Sequence, residues 1–215
     1  LSAVDLSGAD LTGADLRGTD LHGAKLVGTL LQDARMEQAN LGLADLTGAD
    51  LSGATLYEAN LEFANLDGTH LAHTYLDRSN LRFAKLHDTD LSYALLGYAD
   101  LRFAVLCHVD LTGADFMDAI LIHAGFDSRT HGDAKIRELL KDEGAVYLAP
   151  GSDLRAPLSL QQANLSGIDL AGANLRGQDL SGARLRAAQL SGADMTHSQV
   201  RFADLRGADL RLSLI

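Results

Sequence analysis

The stretch "ADLTGADLRGTDL", residues 9–21, places a leucine at every fifth position and a small residue two places before each leucine. A period of five matches neither the 3.6-residue turn of an α-helix nor the two-residue alternation of a β-strand. Counted from Leu1 in steps of five to Phe126, the chain has 26 such centres, and all but Met36, Phe116 and Phe126 are leucine. This regularity predicts a solenoid built from short, nearly identical units.

The repeats fall into two blocks. The unit is A-[D/N]-L-x-x, with glycine frequent at its last position. A second series of 12 centres begins at Leu160 and ends at Ile215, and its register is offset by one residue from that of the first. We therefore divide the chain into a first repeat block at 1–128, an insertion at 129–157 and a second repeat block at 158–215.

These tandem units resemble the pentapeptide-repeat family, and the resemblance covers about 185 of the 215 residues. The resemblance implies an all-β fold, a right-handed quadrilateral β-helix in which four pentapeptides form one square coil. Leucines and small residues would point inward, and burial of each leucine would contribute about 1.5–3 kcal/mol. Successive coils would pair at about 4.8 Å, and glycine would supply the backbone dihedrals of the corners.

The insertion is predicted to contain one short α-helix. Asp133 can cap its start, and Gly144 is a natural stop. The helix would either cover the hydrophobic end of the first block or protrude as an arm that contacts a partner. In the second case its candidate partner-binding residues are Ile136, Leu139 and Leu140.

Composition narrows the classes of protein to which the chain can belong. It carries a formal charge of −11 and a single cysteine, Cys107, which excludes an internal disulfide framework. No apolar run is long enough to span a membrane, so no membrane partner is expected. The compartment stays open, with the cytoplasm favoured. Because the chain starts without methionine and both ends continue the repeat, we expect a processed or excised chain, with flanking domains or an end-to-end homodimer covering the ends.

Residues twenty apart lie above one another in a four-sided coil, so candidate sites are sought in columns. The most apolar outward column is Leu43, Phe63, Phe83 and Phe103, at the last position of four units. It is either an aromatic stack that stiffens the corners or a stripe that binds a partner protein. A polar column is predicted to form a ladder of side-chain hydrogen bonds: Asp20, Asn40, Asn60, Asn80 and Asp100.

A third pair of columns brings together cysteine, histidine and carboxylate side chains: Asp67, His87, Cys107 and Asp127, beside Asp88, His108 and Ser128. These are the ingredients of a thiol nucleophile or a metal site. The outer wall of a β-helix is convex and wet, however, whereas such sites need a concavity that excludes water. We therefore predict no catalytic, cofactor or metal site, and a protein that is not an enzyme.

The negative charge is concentrated in residues 1–128, which hold 19 acidic and 7 basic residues. One side of this block carries Asp10, Asp33, Asp50, Asp90 and Asp110 without a lysine or arginine. Some members of the family resemble B-form DNA and act on type II topoisomerases, which makes this side a candidate DNA-mimicking face. Direct binding of nucleic acid is not expected, because an acidic surface repels phosphate.

The sequence thus predicts a non-enzymatic scaffold, either structural or one that binds a protein partner, and it leaves the identity of any partner open. The alternative is a DNA-mimicking modulator of DNA gyrase or topoisomerase IV, which inhibits the enzyme or protects it from quinolones or toxins.

Overall fold

The coils of the chain pair in parallel at an interval of twenty residues. In the first block this pairing runs from Asp5 with Lys25 to Asp100 with Ile120, and in the second block it continues as far as Asp194 with Leu214. Twenty residues are four pentapeptides, so each coil has four sides and the chain forms a β-helix. The computed structural model describes residues 1–132, 134–142, 144–152, 154–155 and 160–215.

Each pentapeptide ends in a tight turn. At the second unit, the amide of Ala9 donates a hydrogen bond to the carbonyl of Leu6 at 3.0 Å, and Gly8, the third residue of the turn, has φ of 69°. A positive φ at the third position is what a type II turn requires, which explains why glycine recurs there.

The first block has a continuous core of leucine layers. Leu46, Leu66 and Leu86, on one side of successive coils, are fully buried. The predicted polar ladder is present for its first four members, because Asn40 donates to Asp20 at 2.9 Å, and Asn60 and Asn80 each donate to the asparagine one coil below at 3.0 Å. The interior is thus apolar, while side-chain amides link the coils outside it.

Three longer strands mark the end of the first block. They are β1, Val105–Leu106, β2, Gly125–Asp127, and β3, Val146–Leu148, and they form a parallel sheet in that order. Between β2 and β3 lies the helix α1, Ala134–Asp142. Within the described residues, no helix has the length and apolar character needed to cross a membrane.

The end of α1 follows its sequence signal. Gly144 has φ of 78°, and the amide of Ala145 donates to the carbonyl of Leu140 at 2.9 Å. This six-residue closure around a glycine is the Schellman arrangement. The predicted capping residue at the other end, Asp133, lies outside the described residues.

The apolar side of α1 covers the end of the first core. Ile136 is 6% exposed and Leu140 is 1% exposed, and both pack with that core, while Leu139 is half-buried beside them. Of the two roles considered for the helix, the structure therefore favours the cover over the protruding arm.

The second block has its own core and lies against the side of the first. That core contains Leu148 and Leu154 from the insertion, together with Val105 and Cys107 from the outer wall of the first block. Arg184 of the second block approaches Asp67, which lies three coils below the end of the first block. The two blocks therefore do not form one continuous tower.

Candidate functional site at the junction of the two repeat blocks

Along one outward column of the first block, the exposure of the side chains falls where the second block covers the column. At its lower end Ser7 is exposed and Val27 is 39% exposed, whereas His87 is 4% exposed and Cys107 is fully buried. These side chains occupy equivalent outward positions in successive coils. The expectation that this wall is convex and wet is therefore wrong for its upper half, because the second block encloses it.

Two polar contacts fix the second block in this place. The guanidinium of Arg129 donates to the carbonyl of Gly167 at 2.7 Å, and Nη1 of Arg184 lies 3.9 Å from Oδ2 of Asp67. Burial raises the pKa of the Asp67 carboxyl, although the amide of His87 donates to it at 3.1 Å. These contacts bracket the covered wall from both sides.

The apolar column predicted from the sequence, here called the ladder (Leu43, Phe63, Phe83 and Phe103), is stacked and partly exposed. The rings of Phe63 and Phe83 have centroids 4.7 Å apart, and those of Phe83 and Phe103 are 4.9 Å apart, each pair within 5° of parallel. Leu43 and Phe63 remain 57% and 47% exposed. The ladder therefore stiffens the corners and still presents apolar area to solvent.

The ladder occupies corner positions at which other units carry glycine. Leu43 and Phe63 have φ of 58° and 59°, in the left-handed region that side chains disfavour by about 1–2 kcal/mol per residue. Stacking of aromatic pairs returns about 0.5–1.5 kcal/mol each beyond burial. Large groups are thus held at these corners at little net gain in stability over glycine.

The ladder borders a groove formed where the two blocks meet. A cavity of about 160 Å³ lies between the ladder and the start of the second block, and its lining includes Phe83, Lys85, Gln161 and Gln162. A larger cleft of about 580 Å³ continues from it and shares Lys85, Gln161 and Gln162. We call the two together the junction groove.

The larger part of the junction groove is polar. Besides its amide side chains it contains three cationic residues, Lys85, Arg184 and Arg201, and the carboxylates of Asp67 and Asp179. Burial lowers the pKa of the Lys85 ammonium. Phe202, also part of the lining, is 96% exposed. The groove thus has an apolar end at the ladder and a polar end of mixed charge.

The helix residues predicted as a partner surface lie elsewhere. Because Ile136 and Leu140 lie on the side of α1 that is buried against the first core, they offer no free surface for a partner in this structure. They line instead a cavity of about 210 Å³ together with Phe126 and Tyr147. The hypothesis of a protruding arm is therefore corrected to that of a cover for the first core.

The side predicted to mimic DNA does not carry an uninterrupted row of carboxylates. Its column pairs Asp10 with Leu30, Leu30 with Asp50, and Asp50 with His70. Asp90 and Asp110 follow above, and Asp33 lies on the neighbouring corner against Gly53. The carboxylates are therefore interrupted by an apolar side chain and an imidazole.

Hydrogen bonds lower the pKa of several of these carboxylates. Hydrogen bonding by Thr12, whose amide donates to Asp10 at 3.1 Å, lowers the pKa of Asp10, and the hydroxyl of Thr112 does so for Asp110. At Asp50 burial acts to raise the pKa, but hydrogen bonds from Ser52 and Gln32 outweigh it and the net shift is downward.

The covered wall holds a compact cluster of titratable groups. Nε2 of His87 lies 3.2 Å from Oδ2 of Asp88, and Nδ1 of His108 lies 3.2 Å from Oδ1 of the same carboxylate. The two imidazole centroids are 4.4 Å apart. Burial lowers the pKa of His87 to about 4, so its imidazole is neutral at neutral pH.

Asp127 supports this cluster from behind. Its Oδ1 accepts hydrogen bonds from the backbone amides of His108, at 3.0 Å, and Thr130, at 3.1 Å. Its Oδ2 lies 2.9 Å from Nε2 of His108, although the two are not aligned as a hydrogen bond. Oδ1 of Asp127 thus binds the backbone at His108 and Thr130, and Oδ2 faces the imidazole of His108.

The thiol of Cys107, which lies in the same column as His87, is not expected to be reactive. Its side chain is fully buried, and burial raises the pKa of the thiol well above its ordinary value. A thiol of this kind stays protonated and is a poor nucleophile.

Reasoning from the sequence did not identify the residues that the second block contributes to the junction groove, among them Gln161, Gln162 and Arg184. Column analysis relates residues within one block and carries no information on how two blocks meet. One signal was available, since Val105 and Cys107 are apolar or weakly polar residues at outward positions where the same columns otherwise carry mostly polar groups.

Comparisons with known proteins agree with the coil architecture. A model of the family described as pentapeptide repeats matches in eight copies within residues 1–121 and 159–211. No curated protein matched the chain in sequence.

Among solved structures, HetL, a pentapeptide repeat protein involved in heterocyst differentiation regulation from the cyanobacterium Nostoc sp. strain PCC 7120, is 36% identical. The match covers 96% of this chain and 86% of HetL, with a TM-score of 0.47. The pentapeptide repeat protein alr5209 from Nostoc PCC 7120 is also 36% identical, over 53% of this chain and 84% of its own, with a TM-score of 0.29.

QnrB1, described as a plasmid-mediated fluoroquinolone resistance protein, is 19% identical over 86% of this chain and 88% of its own, with a TM-score of 0.27. The family model covers well over half of the chain. The chain therefore belongs to the pentapeptide-repeat family.

Proposed function

We propose that the chain is a non-enzymatic scaffold that holds an extended segment of a partner protein in the junction groove. The observation that carries this proposal is the continuity of the groove: its apolar and polar ends share Lys85, Gln161 and Gln162. A single segment can therefore contact both ends at once.

A concave surface is needed because the flat sides of a β-helix bury little of any ligand. The exposed faces of Leu43 and Phe63 supply apolar area for one anchoring side chain. The amide side chains of Gln161 and Gln162 can bond the backbone of an extended segment, as polar groups do in many peptide-binding grooves. The groove thus offers both an anchor and backbone recognition.

Charge indicates what should flank the anchor. The first block carries 19 acidic and 7 basic residues, so its field attracts cationic partners. We expect the bound segment to carry an apolar anchor and, beyond the groove, lysine or arginine residues.

A displayed library of random linear peptides tests the proposal without knowledge of the partner. Peptides selected on the native chain should contain an apolar residue, and the double variant Phe63→Ser, Phe83→Ser should bind them about tenfold or more weakly, since about 1.4 kcal/mol of apolar burial is lost. Tyr93→Ser is the matched control, because Tyr93 is 53% exposed in the same kind of corner position on another side.

Circular dichroism of each variant separates loss of binding from loss of fold. Selected peptides that bind the folded double variant and the native chain equally would contradict the assignment of the groove. A library from which no peptide is enriched would contradict the scaffold proposal itself.

A second candidate function is modulation of DNA gyrase or topoisomerase IV by DNA mimicry. The observation in its favour is that Asp10, Asp50 and Asp110 lie in one column of the first block, with the pKa of each lowered by hydrogen bonds. Against it, Leu30 and His70 interrupt that face.

Supercoiling assays with and without a quinolone test this candidate. It predicts inhibition or protection that disappears when Asp10, Asp50, Asp90 and Asp110 are changed to Asn. The control removes the same number of carboxylates from other sides of the first block: Asp20, Asp45, Asp100 and Asp115. Equal loss in both quadruple variants would indicate net charge rather than a mimicking face, and no effect of the native chain would exclude the candidate.

A further inference from the structure

We propose that His87, Asp88 and His108 form a binding site for one divalent transition-metal ion of the zinc class. His87 and Asp88 are consecutive residues of one corner, and His108 lies one coil above Asp88 in the same column. One ligand atom from each of the three residues can be chosen so that all three lie within 4.8 Å of one another. This site is independent of the junction groove proposed as the partner-binding surface.

The distances suit a metal with little rearrangement. Tetrahedral zinc, with bonds of about 2.0–2.2 Å, holds its ligand atoms about 3.3–3.5 Å apart. Oδ2 of Asp88 already lies 3.2 Å from Nε2 of His87, and Oδ1 of the same carboxylate lies 3.2 Å from Nδ1 of His108. Two imidazoles and one carboxylate are a donor set that zinc accepts, with a fourth position left for water or an external ligand.

The surroundings hold the ligands in place. Nε2 of His108 lies 2.9 Å from Oδ2 of Asp127 without being aligned as a hydrogen bond, and a rotation of the imidazole would give the bond to a carboxylate that usually supports a metal-binding histidine. Oδ1 of Asp127 is itself fixed by the backbone amides of His108 and Thr130. His108 can therefore present Nδ1 to the metal while Nε2 faces Asp127.

Burial differs across the site in a way that allows an ion to enter. The side chains of His87 and His108 are 5% and 9% exposed, whereas that of Asp88 is 64% exposed. The imidazoles are thus held by the covered wall, and the carboxylate can move aside and close again over the ion. The cluster holds two carboxylates, Asp88 and Asp127, against one neighbouring guanidinium, that of Arg129, whose Nε lies 3.9 Å from Asp127. The local net charge is therefore negative and attracts a cation.

His70 provides a matched control on the same molecule. It pairs with Asp50 below and with Asp90 above. Among the described residues, however, the cluster of three potential ligands is formed at His87, Asp88 and His108 and not around His70. A histidine between two aspartates is therefore not enough to form a cluster of three potential metal ligands. The metal affinity of the cluster can be compared with the effect of replacing His70.

The test is calorimetric titration of the native chain with Zn²⁺ at neutral pH, together with visible spectra of the Co²⁺-loaded chain. We expect one ion per chain, and Asp88→Asn and His108→Asn should each weaken binding about 100-fold or more. Asp127→Asn should weaken it about 10–100-fold, the usual effect of losing an outer support. His70→Asn should bind as the native chain does.

Asp88→Asn is the decisive variant, because Asp88 is largely exposed and its replacement leaves the buried histidines in place. Circular dichroism of the metal-free variants checks that each remains folded, and the Co²⁺ spectrum of Asp88→Asn decides the question if His108→Asn does not fold. Absence of stoichiometric binding at micromolar Zn²⁺, or binding that is unchanged in Asp88→Asn, would overturn the proposal.

Discussion

The guanidinium of Arg129 donates a hydrogen bond to the carbonyl of Gly167 at 2.7 Å, and this bond joins the first residue of the insertion to the second block. Together with the approach of Arg184 to Asp67, it places the second block beside the first. A solenoid with convex walls thereby acquires a groove and a covered wall. Both proposed sites, the junction groove and the histidine cluster, depend on this arrangement.

The role of α1 as a cover can be measured through stability. Leu140→Ala should lower the free energy of unfolding by about 2–5 kcal/mol, because it removes a fully packed side chain from the end of the first core. Glu138→Ala, at an exposed position of the same helix, should change the free energy by less than about 0.5 kcal/mol. Urea denaturation followed by circular dichroism compares them. Equal stability of the two variants would restore the protruding-arm interpretation.

The glycine corners differ in the space that is available for an added side chain. Gly48 and Gly113 have φ of 64° and 68°, so alanine at either position should cost about 1–2 kcal/mol. At Gly113 an added Cβ would also lie 2.6 Å from the ring of Tyr93, whereas at Gly48 it would meet nothing within 4 Å. Gly113→Ala should therefore have the lower thermal unfolding midpoint. A midpoint at or above that of Gly48→Ala would show that the Tyr93 ring moves aside freely.

Acid titration of Asp15 tests the local charge pairs of the coils. The hydrogen bond from Arg17 lowers the pKa of the Asp15 carboxyl to about 2. The folded-state pKa is below the unfolded value, so this pair stabilises the fold above about pH 4, and the contribution is lost as the pH falls through about 2. Arg17→Gln should move the titration midpoint of Asp15, followed by carboxyl carbon NMR, upward toward its ordinary value. A midpoint that does not move would assign the shift to the other groups near Asp15.

Much of the fold could be predicted from the sequence, because every coil repeats one local rule. The five-residue period, the buried Leu66 and the hydrogen bond between Asn60 and Asn80 all follow from the unit and its stacking at intervals of twenty. The stacking of Phe63 on Phe83 follows in the same way.

The candidate sites could be predicted only in part. The columns identify His87, Asp88 and His108 as neighbours, but their burial results from a contact between distant parts of the chain. No local rule encodes that contact. The apolar or weakly polar character of Val105 and Cys107 at outward positions was the indication that a second surface covers this wall.

The most direct test of the account is the reactivity of Cys107, the single cysteine of the chain. Because the second block covers it, the native thiol should react with an aromatic disulfide reagent about 100-fold or more slowly than the thiol of the unfolded chain. The control is the double variant Ser7→Cys, Cys107→Ser, which places the thiol at the exposed lower end of the same column. The account predicts fast labelling of the control and protection of Cys107, and equally fast labelling of both would show that the second block does not lie against this wall.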